Sequence, residues 1–336
     1  PPGTVRTGPI DSVPSVLEQL GFDPAETLEA LDFDIGLLAD PDTVIPFAER
    51  TRLLQQCAEK TGCQHFGHLV GRAAGSSSYG IVGFLIQQSA DVGSALRSFV
   101  RFSHLHVNGA AIYLDEQQKT AFLGYSILDT EGLASEQLSD AAATAGFNIL
   151  KSICGEDWRP TEVCFAHRRP RNIRPFKQYF SAPLVFDEGR TGVEFSADWL
   201  PKPVVGANPR LHDFLAKQIK QLEIKHGEDL AMQVRHVLRS AVLTHQATAS
   251  QVAALFSLHE RTLNRRLTDL GTSFRNLLNE TRFEIAQQLL MDSSITLTEI
   301  ALTLDYSDTS AFARAFRRYS GMSPSKWREE KSRAKE

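Results

Sequence analysis

Two stretches near the C-terminus combine arginine with amide and hydroxyl side chains at helical spacing. Arginine can donate two hydrogen bonds to a guanine edge, asparagine can read adenine, and serine or threonine can contact bases or phosphates. Such side chains on one helix face suit the major groove of double-stranded DNA. The predicted DNA-binding residues are Arg261, Asn264, Arg265, Arg266, Thr309, Ser310, Arg314 and Arg318.

The two stretches belong to an internal repeat. The segment TASQVAALFSLHERTLNRRLTDLGTS, which begins at Thr248, recurs as TLTEIALTLDYSDTSAFARAFRRYSGMS, which begins at Thr296. Each copy opens with the spacing of a capping box, Thr248 with Gln251 and Thr296 with Glu299. Each copy therefore predicts a short helix, a turn and a second helix, so the repeat predicts two helix-turn-helix motifs.

A basic helix face has a second interpretation, because arginine-rich faces are often simply solvated. The duplication favours DNA binding, since each copy also has a small residue, Ala253 or Ala301, where two helices must cross closely. Between the copies, SFRNLLNETRFEIAQQLLMD predicts a helix of about 19 residues, hence about 28 Å long. Such a spacer can hold two recognition helices about one DNA turn, roughly 34 Å, apart.

The composition indicates a globular protein with more than one domain. The chain has 336 residues, of which 42% are hydrophobic and 23% charged. The net charge of -4 divides into +4 from Leu230 onwards and -8 before it, so a basic module follows an acidic body. No long apolar run and no secretory pattern occur, and the four cysteines form no C-x-x-C pair. These features predict a cytoplasmic protein without a membrane span.

The N-terminal part predicts an α+β domain of helices and an antiparallel sheet over residues 1–208. Its first hundred residues indicate helices, with one from Pro46 to Gly62 and another that opens at Asp91 and closes at Asn108 and Gly109. The apolar YGIVGFLIQQSA predicts a buried segment between them. Later segments predict a hairpin, AAIYLD with TAFLGYSIL, a helix from Ser135, and the strands TEVCFAH, PLVFD and GVEFS around a short helix RPFKQYF.

A linker helix over residues 209–228 precedes an all-α DNA-binding domain over residues 229–330. The apolar stripe of the linker helix can pack on its own domain or pair with a second copy of the chain. Because DNA half-sites usually require two copies, we expect a homodimer. The stripe comprises Leu211, Phe214, Leu215, Ile219 and Leu222.

From Leu230 to Arg328 the chain resembles the AraC/XylS family of transcription regulators, most closely in RFEIAQQLLMDSSITLTEIALTLDYSDTSAFARAFRRYSGMSPSKWR. The resemblance implies promoter binding, contact with RNA polymerase and activation rather than repression. Asp305 departs from the family, which usually has glycine there; Asp can adopt the left-handed conformation, so we expect the turn to survive. The base contacts implied by the resemblance fall on Arg261, Asn264, Arg265, Thr309, Ser310 and Arg314.

The N-terminal half resembles the arabinose-binding-type sensor domain of a subgroup that includes ornithine-utilisation regulators. The similar stretches include VLEQLGFDPAETLEALDFD and SAPLVFDEGRTGVEFSADWLPKPV. This resemblance implies a small-molecule effector without establishing a sugar. The alternative is a regulator that works without a ligand, controlled by a protein partner or by its own abundance.

Candidate effector-binding residues combine aromatic, basic and imidazole side chains in the N-terminal part, where two arginines four apart could clamp a carboxylate. Each has a plainer interpretation as core or surface. The candidates are Tyr79, Phe84, Arg97, Arg101, His104 and Tyr125.

Other kinds of site have little support in the sequence. The pairs His65-x-x-His68 and His104-x-His106 lack further ligands at metal-site spacing, which favours structural or surface histidines. No nucleophile-elbow, phosphate-loop or dinucleotide motif occurs. We therefore predict a protein with no catalytic residues, no metal and no cofactor; an enzyme with a DNA-binding tail is the rival class.

Overall fold

The computed structural model describes residues 3–127, 134–225, 229–243, 245–256, 258–291 and 295–333. The chain forms two compact units, residues 1–222 and 223–336. In the described ranges no single helix is long and apolar enough to cross a membrane. The neighbouring segments Phe66–Ala73 and Ser76–Gln87 meet that test of length and composition only as a pair, bent by 86°.

The first unit combines helices with two sheets, which confirms the predicted α+β class. Its strands are β1 Thr4–Arg6, β2 Val44–Pro46, β3 Val107–Asn108, β4 Ala110–Glu116, β5 Thr120–Ile127, β6 Glu162–Phe165, β7 Leu184–Phe186 and β8 Thr191–Ser196. Its helices are α1 Val13–Gln19, α2 Pro24–Ala30, α3 Phe47–Thr61, α4 Phe66–Ala73, α5 Gly80–Gln87, α6 Val92–Phe102, α7 Glu136–Cys154, α8 Arg174–Phe180 and α9 Pro209–Lys225. Short 3-10 turns occupy Gly8–Ile10, Ile35–Leu38, Ser76–Tyr79, Ser103–Leu105 and Ala197–Trp199.

Local chemistry explains where the long helices begin and end. The Asp91 carboxylate accepts a hydrogen bond from the Ser94 amide at 2.7 Å and caps α6. Gly62 ends α3 in the left-handed conformation, with φ of 67°. The prediction of one helix from Asp91 to Gly109 was wrong at its far end, because α6 stops at Phe102 and the chain then turns into β3.

The smaller sheet has the strand order β2-β1-β3 and is antiparallel throughout. This sheet was not predicted, since strands of three and two residues are too short to show an alternating pattern. Its central residue Val5 is buried and pairs with Ile45 and Val107. This sheet brings the start of the chain against α3, because the Phe47 amide donates to the Gly3 carbonyl at 2.8 Å.

The larger sheet has the order β4-β5-β8-β6-β7. The predicted hairpin forms, with Leu114 opposite Leu123. Only the β6–β7 pair is parallel, because α8 crosses between those two strands. Helix α7 packs on this sheet, and Ile149 and Leu150 join Val193 in its core.

The apolar stripe of α9 packs partly on the first unit. Ile219 is fully buried there, with Leu215 packed against the same core. Leu211 and Phe214, in the first turns of the helix, remain 42% and 57% exposed. The helix therefore uses one part of its stripe for its own domain and leaves another part uncovered.

The second unit is all-α, as predicted, and holds two helix-turn-helix motifs. Each motif has its own core, and the central helix contributes to both, with Leu277 in the first and Ile285 in the second. The central helix has 18 residues, so it is about 27 Å long. The helices are α10 Leu230–Leu243, α11 Ala249–Leu255, α12 Glu260–Asp269, α13 Phe274–Met291, α14 Leu297–Thr303, α15 Thr309–Ser320 and α16 Pro324–Arg333.

Candidate nucleic-acid interface and candidate effector cavity

The first motif consists of α11 and α12. Thr248 accepts a hydrogen bond from the Gln251 amide at 3.2 Å and starts α11 as its sequence spacing predicted. Ala253 is buried where α11 meets α12. Leu263 and Leu267 are fully buried and fix which face of α12 points inward. The opposite face exposes Arg261, Asn264, Arg265 and Arg266.

The second motif consists of α14 and α15. Thr296 and Glu299 form a complete capping box, in which each side chain accepts from the other residue's amide, at 3.2 and 2.7 Å. Asp308 caps α15 by accepting from the Ala311 amide at 2.7 Å, and this bond lowers the pKa of its carboxyl. Both predicted caps of the repeat are therefore present.

The inward face of α15 carries two buried phenylalanines, Phe312 and Phe316. Their burial leaves Ser310, Arg314 and Arg318 exposed. Thr309 is half-buried, with its hydroxyl 3.5 Å from that of Thr298 on α14. In the described ranges, no carboxylate lies within ion-pair distance of the predicted contact arginines on α12 and α15. These predicted contact arginines are Arg261, Arg265, Arg266, Arg314 and Arg318.

The turn of the second motif keeps the expected shape without glycine. Asp305 lies in the left-handed region, with φ of 58°. The Tyr306 amide donates to the Ala301 carbonyl at 2.9 Å, which closes the end of α14. The expectation that Asp305 preserves the turn is confirmed.

Ion pairs fix the spacer helix α13 to its neighbours. Arg235 on α10 contacts Glu280 at 2.6 Å and Glu284 at 3.4 Å, and Arg239 contacts Glu284 at 2.9 Å. At the other end, Arg328 of α16 donates to the Leu290 carbonyl at 3.1 Å and satisfies an orphan acceptor of α13. The helix between the motifs is therefore anchored from both sides.

The first unit encloses a small cavity of about 30 Å³ between α7 and the larger sheet. Tyr79 and Tyr125, two of the six candidate effector residues, line it together. Five of the lining residues are glycine or alanine, and their small size leaves this space unfilled. The remaining lining residues are Phe99, Ile112, Leu123, Gly124, Ala142, Ala143, Gly146, Ile149, Gly192 and Val193.

The structure places the other four candidate effector residues away from this cavity. Phe84 is 50% exposed on α5. Arg97 donates to both Glu116 carboxylate oxygens, at 3.0 and 3.1 Å. Arg101 lies over the ring of Phe102 at 4.7 Å. His104, the remaining candidate, lies with its Nδ1 2.9 Å from the carbonyl oxygen of Arg101.

Comparison with known proteins identifies the family. Residues 21–204 match the arabinose-binding domain of AraC transcription regulators, and residues 252–330 match a helix-turn-helix domain. The chain belongs to the AraC family of transcription regulators. The resemblance found in the sequence is thereby confirmed.

Several relatives of this AraC-family chain extend over most of its length. The ornithine utilization regulator of Pseudomonas aeruginosa is 26% identical over 87% of each chain. The regulator VirS of Mycobacterium tuberculosis is 25% identical over 93% of each chain. The crystal structure of the regulator CdpR from Pseudomonas aeruginosa is 21% identical, with a TM-score of 0.45, over 91% of this chain and 96% of that one. The matched domains, the ornithine utilization regulator and VirS are transcription regulators, not enzymes.

Two buried polar groups in the first unit of this AraC-family regulator were not predicted from the sequence. In the second unit, Arg317 is exposed on α15 beside Arg314 and Arg318. Arg50 and His106 are buried near Tyr125 and Tyr79. No pattern marks them, because they occur in an amphipathic helix and at the end of a predicted one.

The histidines of the predicted non-metal pairs have other partners. His68 is fully buried, and its Nδ1 is 2.9 Å from the Thr144 hydroxyl. His65 Nδ1 lies 3.7 Å from the Cys63 sulfur. No group of three or more potential metal ligands occurs among the described residues.

Proposed function

We propose that this AraC-family regulator reads specific promoter DNA through both recognition helices, α12 and α15, under the control of a small molecule bound in its first unit. The observation that carries this proposal is the duplicated, capped motif whose buried residues force two arginine-bearing faces outward. Exposed arginines without a neighbouring carboxylate suit phosphate and guanine.

Within that function, the side chains divide by type. Arginine and asparagine on α12 suit hydrogen bonds to base edges, and Arg314 suits the same role on α15. Thr309 and Ser310, in the first turn of α15, suit a phosphate or a base, because helix N-termini favour anions. The base-reading set under this proposal is Arg261, Asn264, Arg265, Thr309, Ser310 and Arg314, with Arg266 and Arg318 on phosphates.

The spacer supports engagement of two neighbouring major-groove segments. At 18 residues, α13 is about 27 Å long, which is close to one turn of DNA at roughly 34 Å. The shortfall favours a bend of the DNA toward the protein.

Regulation forms the second part of the proposal. The match of residues 21–204 to an arabinose-binding domain supports a ligand in the first unit, where two candidate effector residues, Tyr79 and Tyr125, line a small cavity together. The uncovered Leu211 and Phe214 of α9 support a homodimer, since they form an exposed apolar surface. We propose further that the protein acts in the cytoplasm, as an activator that contacts RNA polymerase. Control by a partner or by abundance, without a ligand, is the alternative.

DNase footprinting on the chain's own upstream region and neighbouring promoters tests DNA reading. Arg314→Ala is expected to relax base preference at one position of the site, with a cost of about 1–3 kcal/mol for the preferred base. Arg52→Ala provides a matched control, because this exposed arginine lies on α3 of the first unit. A footprint with no promoter-specific protection would contradict the proposal.

The regulatory part has its own test. DNA affinity and sedimentation of the full chain are measured across a metabolite panel. An effector is expected to change one or both quantities. Unchanged affinity and unchanged association across the panel would favour the ligand-independent alternative.

A further inference from the structure

Arg50 is a buried guanidinium that lacks a carboxylate partner among the described residues. It lies on α3 and is only 4% exposed. Its Nη2 donates to the Tyr125 hydroxyl at 2.8 Å, and its guanidinium carbon lies 4.8 Å from the centre of the Phe47 ring. Its Nε has no hydrogen-bond partner in the part of the chain that the structure describes. A buried charge in this state is costly, because proteins normally pair such charges.

Arg6, by contrast, has an ion-pair partner and a hydrogen-bond acceptor for its guanidinium. Arg6 pairs with the Asp42 carboxylate, and its Nε donates to the Leu105 carbonyl at 2.9 Å. It is also partly exposed. Arg6 therefore has an anionic partner, Asp42, whereas Arg50 has none among the described residues.

His106 completes the polar cluster around Arg50. It is 6% exposed, and its ring centre lies 4.8 Å from that of Tyr79. Its Nε2 has no hydrogen-bond partner among the described residues. Burial and the charges of Arg50 and Arg6 lower the pKa of His106 to about 3. The imidazole is therefore neutral at pH 7 and adds a hydrogen-bonding site without adding charge.

This cluster adjoins the cavity described above. Tyr125 contacts Arg50 and lines the cavity, and Tyr79 contacts His106 and lines it as well. Arg50 and His106 do not line the cavity themselves, and most of the residues that do are apolar, with Gly146 of α7 among them. The region thus has a cationic end and an apolar end, each formed by described residues of one unit.

We propose that this region binds a small organic carboxylic acid in its ionised form, with the carboxylate at Arg50 and the apolar part in the cavity. Arginine offers two parallel N–H donors that match a carboxylate. The Tyr125 hydroxyl, which accepts from Arg50, has its own proton available for the same anion. The inference rests on the proposed regulation by a small molecule and specifies the class of that molecule.

The test measures thermal unfolding of the full chain without DNA, in a buffer free of carboxylates. The probes are acetate and propionate, each compared with its neutral amide, while butyrate and benzoate, whose apolar parts exceed the cavity of about 30 Å³, serve as size controls that are expected to bind more weakly. At about ten times its Kd, a binding acid is expected to raise Tm by about 3–5 °C, while the amides leave it unchanged.

Two variants of α3 locate the effect. Arg50→Met is expected to abolish the acid-induced rise, yet to leave Tm without acid equal to or above that of the wild type, because it removes an unpaired buried charge. Arg52→Met, at an exposed position two residues along, is the matched control and is expected to retain the rise.

Distinct results would overturn the proposal. If Arg50→Met lowers Tm without acid and no acid shifts the wild type, Arg50 has a structural role only. An Arg50-dependent rise with sulfate but with no acid would overturn the carboxylate class. These measurements involve no DNA. A negative result would therefore contradict the carboxylate site alone, and the footprint and affinity experiments would still test promoter binding and control by a ligand at another site.

Discussion

The Arg282 guanidinium contacts the Asp305 carboxylate at 3.2 Å, and so links the spacer helix α13 to the turn of the second motif. Asp305 has φ of 58°, a conformation that costs most residues about 1–2 kcal/mol. Arg282 also lies over the Tyr306 ring at 5.2 Å. Asp305 therefore combines an unfavourable backbone conformation with a favourable charge contact to Arg282.

Substitutions of Asp305 should separate those two contributions. Asp305→Gly relieves the backbone and loses the partly exposed ion pair, so the free energy of unfolding should change by less than about 0.5 kcal/mol. Asp305→Ala loses the pair and also places in the left-handed conformation a residue that tolerates it less well than Asp does, which together should cost about 1–2 kcal/mol. Urea denaturation measures both, with Asp305→Asn as the control that keeps left-handed tolerance without charge. Equal losses for Gly and Ala would show that the pair dominates.

Two adjacent alanines of α11 test the close helix crossing in the first motif. Ala253 is buried and Ala254 is exposed. Ala253→Leu should lower the free energy of unfolding by about 1–3 kcal/mol through overpacking, and should weaken DNA binding because it displaces α12. Ala254→Leu should change stability by no more than about 0.5 kcal/mol. The measurements are urea denaturation and a gel-shift titration; similar effects of the two variants would contradict a tight crossing at Ala253.

Gly146 of α7 offers a way to fill the cavity without strain. A methyl group there would meet only Leu123, at 3.8 Å. Because alanine favours helix over glycine, Gly146→Ala should raise the free energy of unfolding by about 0.5–1 kcal/mol. It should also weaken carboxylic-acid binding several-fold, as measured by calorimetry of the full chain.

Gly71 is the matched control for Gly146, because a methyl group there would lie 2.6 Å from the Ala141 carbonyl. Gly71→Ala should therefore destabilise the first unit. A stabilised Gly146→Ala variant that binds acids as well as the wild type does would place the apolar part of the ligand elsewhere.

His68 should make the first unit sensitive to acid. Its burial, with the charge of Arg72, lowers its pKa to about 3. The Thr144 hydroxyl donates to the Asp140 carbonyl, so His68 Nδ1 is the donor to Thr144 and the neutral ring fits this site. An unfolded histidine titrates near pH 6.5. The stabilisation by neutral His68 is therefore fully present above about pH 6.5 and is lost as pH falls towards about 3.

The expected acid slope from His68 is up to about 1.4 kcal/mol per pH unit. His68→Asn retains a donor for Thr144 and cannot be protonated, so its free energy of unfolding should fall less steeply than that of the wild type. Urea midpoints between about pH 7 and pH 5 measure the difference. Parallel curves for the two proteins would show that His68 does not become charged on unfolding.

The C-terminal motifs were predictable because their determinants are local. The caps at Thr248 and Thr296 and the inward pairs of α12 and α15 each depend on residues a few positions apart, which the sequence displays directly. Even the left-handed Asp305 could be predicted, since a turn has a limited set of tolerated residues.

The first unit depended on contacts between distant parts of the chain. The strands that pair Val5 with Ile45 and Val107 are too short to be recognised alone. Arg50 and Tyr125 are 75 positions apart, and only the tertiary fold brings α3 close enough to β5 for them to bond. Sequence by itself determined that the chain carries two helix-turn-helix motifs with outward arginine-bearing faces, because short-range spacing fixes a helix face. Tertiary structure decided which polar residues share a cavity, because that depends on how separate elements pack.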